Sequence, residues 1–136
     1  MSNATVPNLA TIPQTFGAAL ATASGAAELG LTAPTNIVQL AVAAAGGTYV
    51  RRWKVMGRNG ALTAGQVRLF KKNGANYYLL REMIIPVSSA PSATQAAFDS
   101  DWETLDLNLE SGDELHVTTT VTQNLVVVAE GADYTA

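Results

Sequence analysis

The sequence predicts an all-β fold: an antiparallel β-sandwich, jelly-roll-like, with an extended or partly helical N-terminal arm. From residue 35 onward, apolar residues recur at every second position in several short runs, which is the period of a half-buried strand. Turn-forming residues separate these runs every ~8–12 residues, a spacing typical of sandwiches and jelly rolls. The chain has 136 residues, the usual size of one domain, and no internal repeat is evident.

The composition favours a protein that associates with others. Hydrophobic residues make up 48% of the chain and charged residues only 14%, well below the ~25% usual for soluble domains. Part of the uncharged surface is therefore expected to be covered by other subunits. The alternative is a monomer with an Ala- and Thr-rich surface.

Several functional classes are disfavoured at this level. The net charge of -3 argues against a dedicated nucleic-acid binder. The chain has no cysteine, which excludes disulfides and thiolate metal sites. The opening "MSNATVPNLATIPQ" lacks the pattern of a signal peptide, and no apolar run is long enough to span a bilayer, so no membrane contact is expected.

The predicted arm comprises residues 1–34, and the β-sandwich domain comprises residues 35–136. The arm is rich in Ala, Thr, Ser and Gly, and Pro7, Pro13 and Pro34 interrupt any long helix or central strand. "FGAALATASGAAELG" has the alanine content of a short helix, although its glycines weaken that interpretation. An extended arm that lies over a neighbouring molecule is the other interpretation.

Two strands are predicted between residues 36 and 56. "NIVQLAVAAA" places one apolar set on a common face: Val38, Leu40, Val42 and Ala44. "TYVRRWKVM" is expected to alternate between a face with Tyr49, Arg51, Trp53 and Val55 and a face with Val50, Arg52, Lys54 and Met56.

A hairpin follows. "QVRLFKK" and "NYYLLREMII" flank Asn73–Gly74, a pair that readily adopts the positive φ angles of a tight turn. Apolar residues occur in adjacent pairs in these strands, so both faces of the hairpin are expected to be at least half covered.

Three more strands complete the predicted sandwich. In "TLDLNLE" the leucines point inward, and in "LHVTTTV" Leu115, Val117, Thr119 and Val121 point inward while His116, Thr118 and Thr120 point outward. "NLVVVAEG" is apolar on both faces, which indicates a central strand.

Residues able to perform catalysis are few. The single histidine, His116, lies among threonines at an outward position, where a solvated or subunit-facing side chain is expected, and no G-x-S-x-G motif is present. "FDSDWE" places Asp99, Asp101 and Glu103 at alternate positions, but the calcium-loop pattern is absent, and a solvated loop end or a partner for basic residues is the better interpretation. The sequence therefore predicts no enzyme, no cofactor and no metal site.

A basic cluster is the remaining candidate for chemistry. It consists of Arg51, Arg52, Lys54 and Arg58. Alternation splits the first three across both faces of one strand, so they are not expected to form a phosphate groove, although Tyr49 and Trp53 lie nearby. Salt bridges at the rim of a subunit interface, with Trp53 in the core or in that interface, are the preferred interpretation.

The order of several short segments resembles a family of small virion proteins of tailed bacteriophages, of the capsid decoration or cement type. The segments are "TAGQVRLF", "NYYLLREMIIP", "SGDELHVTTT" and "VVAEGADY", and the likeness covers roughly positions 31–134. Each motif is weak alone, whereas their order and spacing together are fairly specific. The resemblance implies a jelly-roll-like structural part of the particle and carries no catalytic residues.

A decoration protein would bind the outside of the major capsid protein lattice and stabilise the head. The expected partners are the major capsid protein and further copies of the chain, as a dimer or trimer, without direct nucleic-acid or membrane contact. The expected location is the virion, assembled in the host cytoplasm. Aromatic residues are enriched at interface centres, which gives these candidates: Tyr49, Trp53, Phe70, Tyr77, Tyr78 and Trp102. For Phe70, Tyr77 and Tyr78 the chain's own core is the alternative.

Two other functions stay open. The first is a tail, baseplate or fibre-associated structural protein of the same particle. The second is a carbohydrate- or receptor-binding module, for which Trp53, Trp102 and Tyr134 are candidate stacking platforms.

Overall fold

The computed structural model describes residues 10–135, and this part of the chain is all-β, with nine strands and no helix. The strands are β1 (Ala10–Leu20), β2 (Gly30–Leu31), β3 (Val38–Val42), β4 (Thr48–Gly57), β5 (Gly65–Asn73), β6 (Asn76–Ile85), β7 (Glu103–Leu109), β8 (Glu114–Thr119) and β9 (Leu125–Tyr134). Because the described range holds no helix, it also holds none with the length and apolar character needed to cross a membrane.

The strands form two antiparallel sheets. Sheet A has four strands in the order β1-β9-β4-β7, and sheet B has five in the order β2-β6-β5-β8-β3. The apolar strand β9 lies between β1 and β4, so the prediction of a central strand is confirmed. Buried residues of both sheets belong to one hydrophobic cluster, in which Trp53 and Val127 of sheet A and Leu69 and Val117 of sheet B are fully buried.

The predicted hairpin is confirmed. Strands β5 and β6 pair along their length from Gly65↔Ile85 to Asn73↔Asn76, and Gly74 in the connecting turn has a φ of 62°. The turn is joined to the β7–β8 turn by Asp113, whose carboxylate accepts hydrogen bonds from Asn73 Nδ2 at 2.7 Å and from the Glu110 N–H at 3.0 Å.

The same carboxylate faces a cation. Lys71 Nζ lies 3.4 Å from Asp113 Oδ2. Burial by itself raises the pKa of Asp113, but the hydrogen bonds from Asn73 and Glu110 and the charge of Lys71 outweigh it, so the pKa lies below its usual value. The ionised carboxylate therefore holds two turns of the fold together.

Two expectations about alternation are wrong, each because a β-bulge changes which face the residues occupy. In β3 the register shifts between Gln39 and Ala41, so Leu40 and Ala41 are both buried while Val42 is exposed. In β4 the register to both neighbours shifts between Val50 and Arg52. A third shift, between Leu69 and Phe70, interrupts the pairing of β5 with β6.

The helical interpretation of "FGAALATASGAAELG", one of the two left open, is also wrong. Its first five residues belong to β1, which pairs with β9 from Phe16↔Ala129 to Leu20↔Leu125. Pairing buries Ala18 and Leu20 in the core, a gain that outweighs the helix propensity of alanine. Residues 10–20 of the predicted arm are thus an edge strand of sheet A, and residues 1–9 lie outside the described range.

Residues 21–37, which we call the strap, run from β1 across the outer face of sheet B and include β2. The strap backbone contacts the sheet at Ser24, whose N–H donates to the Thr119 carbonyl at 2.8 Å, and at β2, which pairs with Tyr77 and Tyr78 of β6. The strap explains why His116 and Thr118, although outward-pointing as predicted, are buried rather than solvated.

Candidate interaction surfaces

The six aromatic candidates separate into buried and surface positions. Trp53 and Phe70 are fully buried, and Tyr77 is buried as well, so these three pack inside the chain itself. Phe70 and Tyr77 lie outside the main core cluster; they occupy the layer between sheet B and the strap. Tyr49 and Trp102 are half-buried and Tyr78 is exposed, so only these three reach the surface.

The bulge in β4 shapes the outer face of sheet A. Val50 pairs with Gly131 and Arg52 with Glu130, which leaves Arg51 as the extra residue. Because of this extra residue, Val50 and Trp53 both point into the core. Arg51, Arg52 and Lys54 are therefore not divided between the core face and the outer face as predicted, and all three are on the outer side.

Trp102 lies at the centre of a charged layer on this face. The Arg52 Cζ is 4.2 Å from the centroid of the Trp102 ring, and the Lys54 Nζ is 4.9 Å from it. Both are cation–π distances, and each such contact contributes about 0.5–1 kcal/mol at an exposed site. Arg52 also forms an ion pair with Glu130, and Lys54 pairs with Asp99 at 3.1 Å.

Asp99 belongs to the acidic segment "FDSDWE", and the hydrogen bonds that it accepts favour its ionised carboxylate. The Asp101 N–H donates to Asp99 Oδ1 at 2.8 Å. This hydrogen bond, followed by the one from Lys54, lowers the pKa of Asp99. Glu103 in the same segment accepts a hydrogen bond from the buried Trp53 indole at 3.2 Å. These acids serve as partners of basic and aromatic residues, and residues 10–135 contain no group of three or more potential metal ligands.

A shallow groove lies beside this layer, between β1, β9 and β4. It encloses about 360 Å³, and its lining includes Pro13, Gln14, Tyr49, Arg51 and Glu130. The Tyr49 hydroxyl donates to Asp106 at 2.6 Å, and this bond raises the pKa of Tyr49. Arg51 is exposed and has no ion-pair partner within residues 10–135, so its guanidinium is available to a ligand.

A second surface, which we call the apolar edge, follows β6. Strand β2 covers this edge of sheet B only at Tyr77 and Tyr78. Large apolar side chains are exposed along it and next to it: Leu29, Leu31, Tyr78, Ile84 and Val87, with Ile84 at 66%. Exposed strand edges with apolar side chains are sites of association with other chains.

One feature of the sequence indicates the bulge in β4. Val50 and Trp53 are three positions apart, whereas unbroken alternation needs an even spacing. That spacing, together with the glycine at position 131, would have indicated the bulge. No sequence signal identified Arg51 as the residue beside the groove, because that position depends on the partner strands.

Searches of protein-family models, curated proteins and solved structures found no match to this chain.

Proposed function

We propose that the chain is a structural protein of a tailed-phage particle. It is a capsid decoration protein with a jelly-roll-like β-sandwich that binds the outside of the major capsid protein lattice and stabilises the head. The sequence resemblance described above motivates this proposal. The proposed role consists of binding, with no chemical step, and the proposed location is the virion.

The order of the strands supports the jelly-roll part of the proposal. Without the two-residue strand β2, sheet A reads β1-β9-β4-β7 and sheet B reads β3-β8-β5-β6. The chain crosses between the sheets at every connection after β3 except the β5–β6 hairpin. Eight strands in two such sheets are the arrangement of a jelly roll, an architecture that capsid proteins share with lectins. This order is the observation that carries the proposal.

The apolar edge supports association with a lattice or with further copies of the chain. Ile84 and Val87 are exposed, and charged residues are only 14% of the sequence. A dimer or trimer, and the capsid surface, would each cover apolar area of this kind. Many copies engaged together then bind firmly even when each interface is modest.

The N-terminal segment proposed to bind the capsid is shorter than the arm of residues 1–34 that the sequence predicts. Residues 10–20 form β1, and deleting them would remove Leu20 from the core. A deletion of residues 1–9 leaves every described strand intact, so it is the variant that tests capsid binding by the N-terminus. Unchanged shell binding of this variant would remove the arm from the proposal.

The experiment that tests the function is the copy number of the chain in purified particles, measured by quantitative mass spectrometry against the major capsid protein. A ratio near one, or a simple fraction of one, is expected for a decoration protein. A few copies per hundred capsid subunits would favour the tail or baseplate alternative. Absence from particles would refute the virion role, and glycan-array binding by the isolated chain would then test the carbohydrate alternative.

A pair of variants tests whether the apolar edge is the surface that binds the capsid. Ile84→Asp places a charge on the apolar edge, and Val42→Asp places the same charge on β3, the opposite edge of sheet B. Both side chains are exposed, so neither change is expected to unfold the chain. Binding to assembled shells should fall for I84D and persist for V42D; equal binding by the two variants would rule out the apolar edge as the contact.

A further inference from the structure

The strap is tied to itself more than to the sheet beneath it. The Glu28 carboxylate accepts hydrogen bonds from the backbone N–H and the hydroxyl of Thr35, and Asn36 Nδ2 donates to the Ala23 carbonyl at 2.7 Å. These bonds close residues 23–36 into one loop. Such a loop can move as a unit without losing its own hydrogen bonds.

Few bonds join the strap to sheet B. They include the Ser24 N–H to the Thr119 carbonyl at 2.8 Å, the two-residue strand β2 against β6, and a long contact of 3.5 Å from Arg68 Nη1 to the Gly25 carbonyl. A side chain at Gly30 would lie 2.7 Å from the Tyr77 carbonyl and 3.6 Å from the Phe70 ring. The strap therefore approaches the sheet closely but is held to it weakly.

The closed strap also carries strain. Leu31 has a φ of 66°, a left-handed conformation that costs an L-residue with a branched side chain free energy. Burial of the Leu31 side chain offsets little of this cost, because 65% of the residue is exposed. This backbone strain destabilises the closed strap and not the open strap.

Polar atoms beneath the strap lack partners. His116 Nδ1 and Thr118 Oγ1 are buried without a hydrogen bond, although His116 Nε2 lies 2.9 Å from Glu114 Oε1. Both residues are on the outer face of β8, where opening of the strap would let water reach them. In the closed state these two atoms therefore lack hydrogen-bond partners, which water would supply on opening.

We propose that the strap is a latch that opens as a unit while the two sheets stay folded. Opening uncovers the aromatic layer of Phe70 and Tyr77 and frees the edge of β6 at Tyr77 and Tyr78. In the closed state the strap covers this apolar surface, and the backbone strain at Leu31 favours opening of the strap. This inference concerns the chain alone and does not depend on a role in the virion.

Single cysteines test the latch, because the chain has none of its own. Thr118 and Val117 are adjacent in β8 and both buried, but Thr118 faces the strap and Val117 faces the core. We expect the thiol of Thr118→Cys to react with Ellman's reagent at least tenfold faster than that of Val117→Cys in the absence of denaturant. Urea should raise the rate of Thr118→Cys less steeply than that of Val117→Cys, since local opening exposes less surface than unfolding of the whole fold. Equal rates with equal urea dependence would overturn the proposal.

A measurement without substitution covers the case in which a variant fails to fold. The Ser24 amide should exchange hydrogen faster than the amides of the central strand β9, with a lower free energy of opening. If the Ser24 amide exchanges only by the same opening as β9, the strap unfolds with the core and the latch is refuted.

A matched pair of glycine variants tests the role of strain. Leu31→Gly and Leu29→Gly, each in the Thr118→Cys background, remove the same side chain from exposed positions of the strap, but only Leu31 has a positive φ. Glycine adopts this conformation freely, so L31G should close the latch and react roughly five-fold or more slowly than L29G. Equal reaction rates would show that the conformation of Leu31 does not drive opening.

Discussion

Gly131 lies where the bulge of β4 meets β9, and replacing it with alanine should damage the centre of sheet A. A Cβ at this position would be 1.9 Å from the Tyr49 carbonyl oxygen and 2.9 Å from the Val50 Cα, whereas real Cβ atoms essentially never approach within 3.0 Å. Both obstacles are backbone atoms, so no side chain can rotate away. Strands β9 and β4 would have to separate by about 1 Å, which stretches hydrogen bonds of ~2.9 Å to about 3.9 Å, beyond the ~3.2 Å at which such bonds are normally made.

We expect Gly131→Ala to lower the free energy of unfolding by about 3 kcal/mol or more, at the upper end of the cost of overpacking. That loss is a large fraction of the ~5–15 kcal/mol typical of a domain, and it corresponds to a fall in Tm of roughly 10 °C. Urea unfolding and a thermal melt measure both quantities.

Gly17→Ala in the neighbouring strand β1 is the matched control. A Cβ at Gly17 would be 3.9 Å from the Val127 carbonyl, an ordinary contact, so this change should be neutral or stabilise by up to ~1 kcal/mol. If the G131A and G17A variants unfold at the same urea concentration, the close approach at the bulge is not a constraint on the fold.

Three further changes have definite expected outcomes. Glu103→Ala removes the acceptor of the buried Trp53 indole N–H and should cost about 1–3 kcal/mol, whereas Glu103→Gln keeps an acceptor and should cost less; Tm and tryptophan fluorescence report both. The pKa of Asp113 is lowered by folding, so its stabilisation is present above the unfolded carboxyl pKa of ~3.9 and is lost as the pH falls through the folded value. Asp113→Asn should therefore be less stable than the parent at pH 7 and show a shallower decline below pH ~4 in urea titrations; parallel curves would contradict this. Trp102→Ala removes the cation–π contacts to Arg52 and Lys54 and should cost only about 1–2 kcal/mol; a loss comparable to that of G131A would mean that Trp102 has a structural role beyond this surface layer.

Much of the strand arrangement follows from local patterns. The Asn73–Gly74 pair identified the β5–β6 hairpin, because the turn needs a residue that tolerates positive φ, and Gly74 adopts it. The unbroken apolar character of "NLVVVAEG" identified β9 as central. In both cases the residues that determine the structure lie within the element itself, so the sequence alone was sufficient to predict it.

The course of the N-terminal residues depends on distant partners. Alanine favours a helix locally, but β1 pairs along its whole length with β9, more than a hundred positions away. The bulge of β4 is set in the same way by Gly131, which lets the Tyr49 carbonyl approach. Local propensity cannot predict such elements, since their energetics belong to contacts between remote strands.

The outer face of sheet B shows why alternation predicts direction but not burial. His116 points outward as its position in "LHVTTTV" indicates, yet it is buried, because the strap covers the face to which it points. The edge-to-face contact between His116 and Tyr77, with ring centroids 5.4 Å apart, therefore belongs to a second apolar layer, separate from the core between the sheets. A residue in that layer is protected only while the strap is closed. Its exposure thus reports the state of the strap, whereas the exposure of Val117, on the other face of the same strand, reports the state of the whole fold.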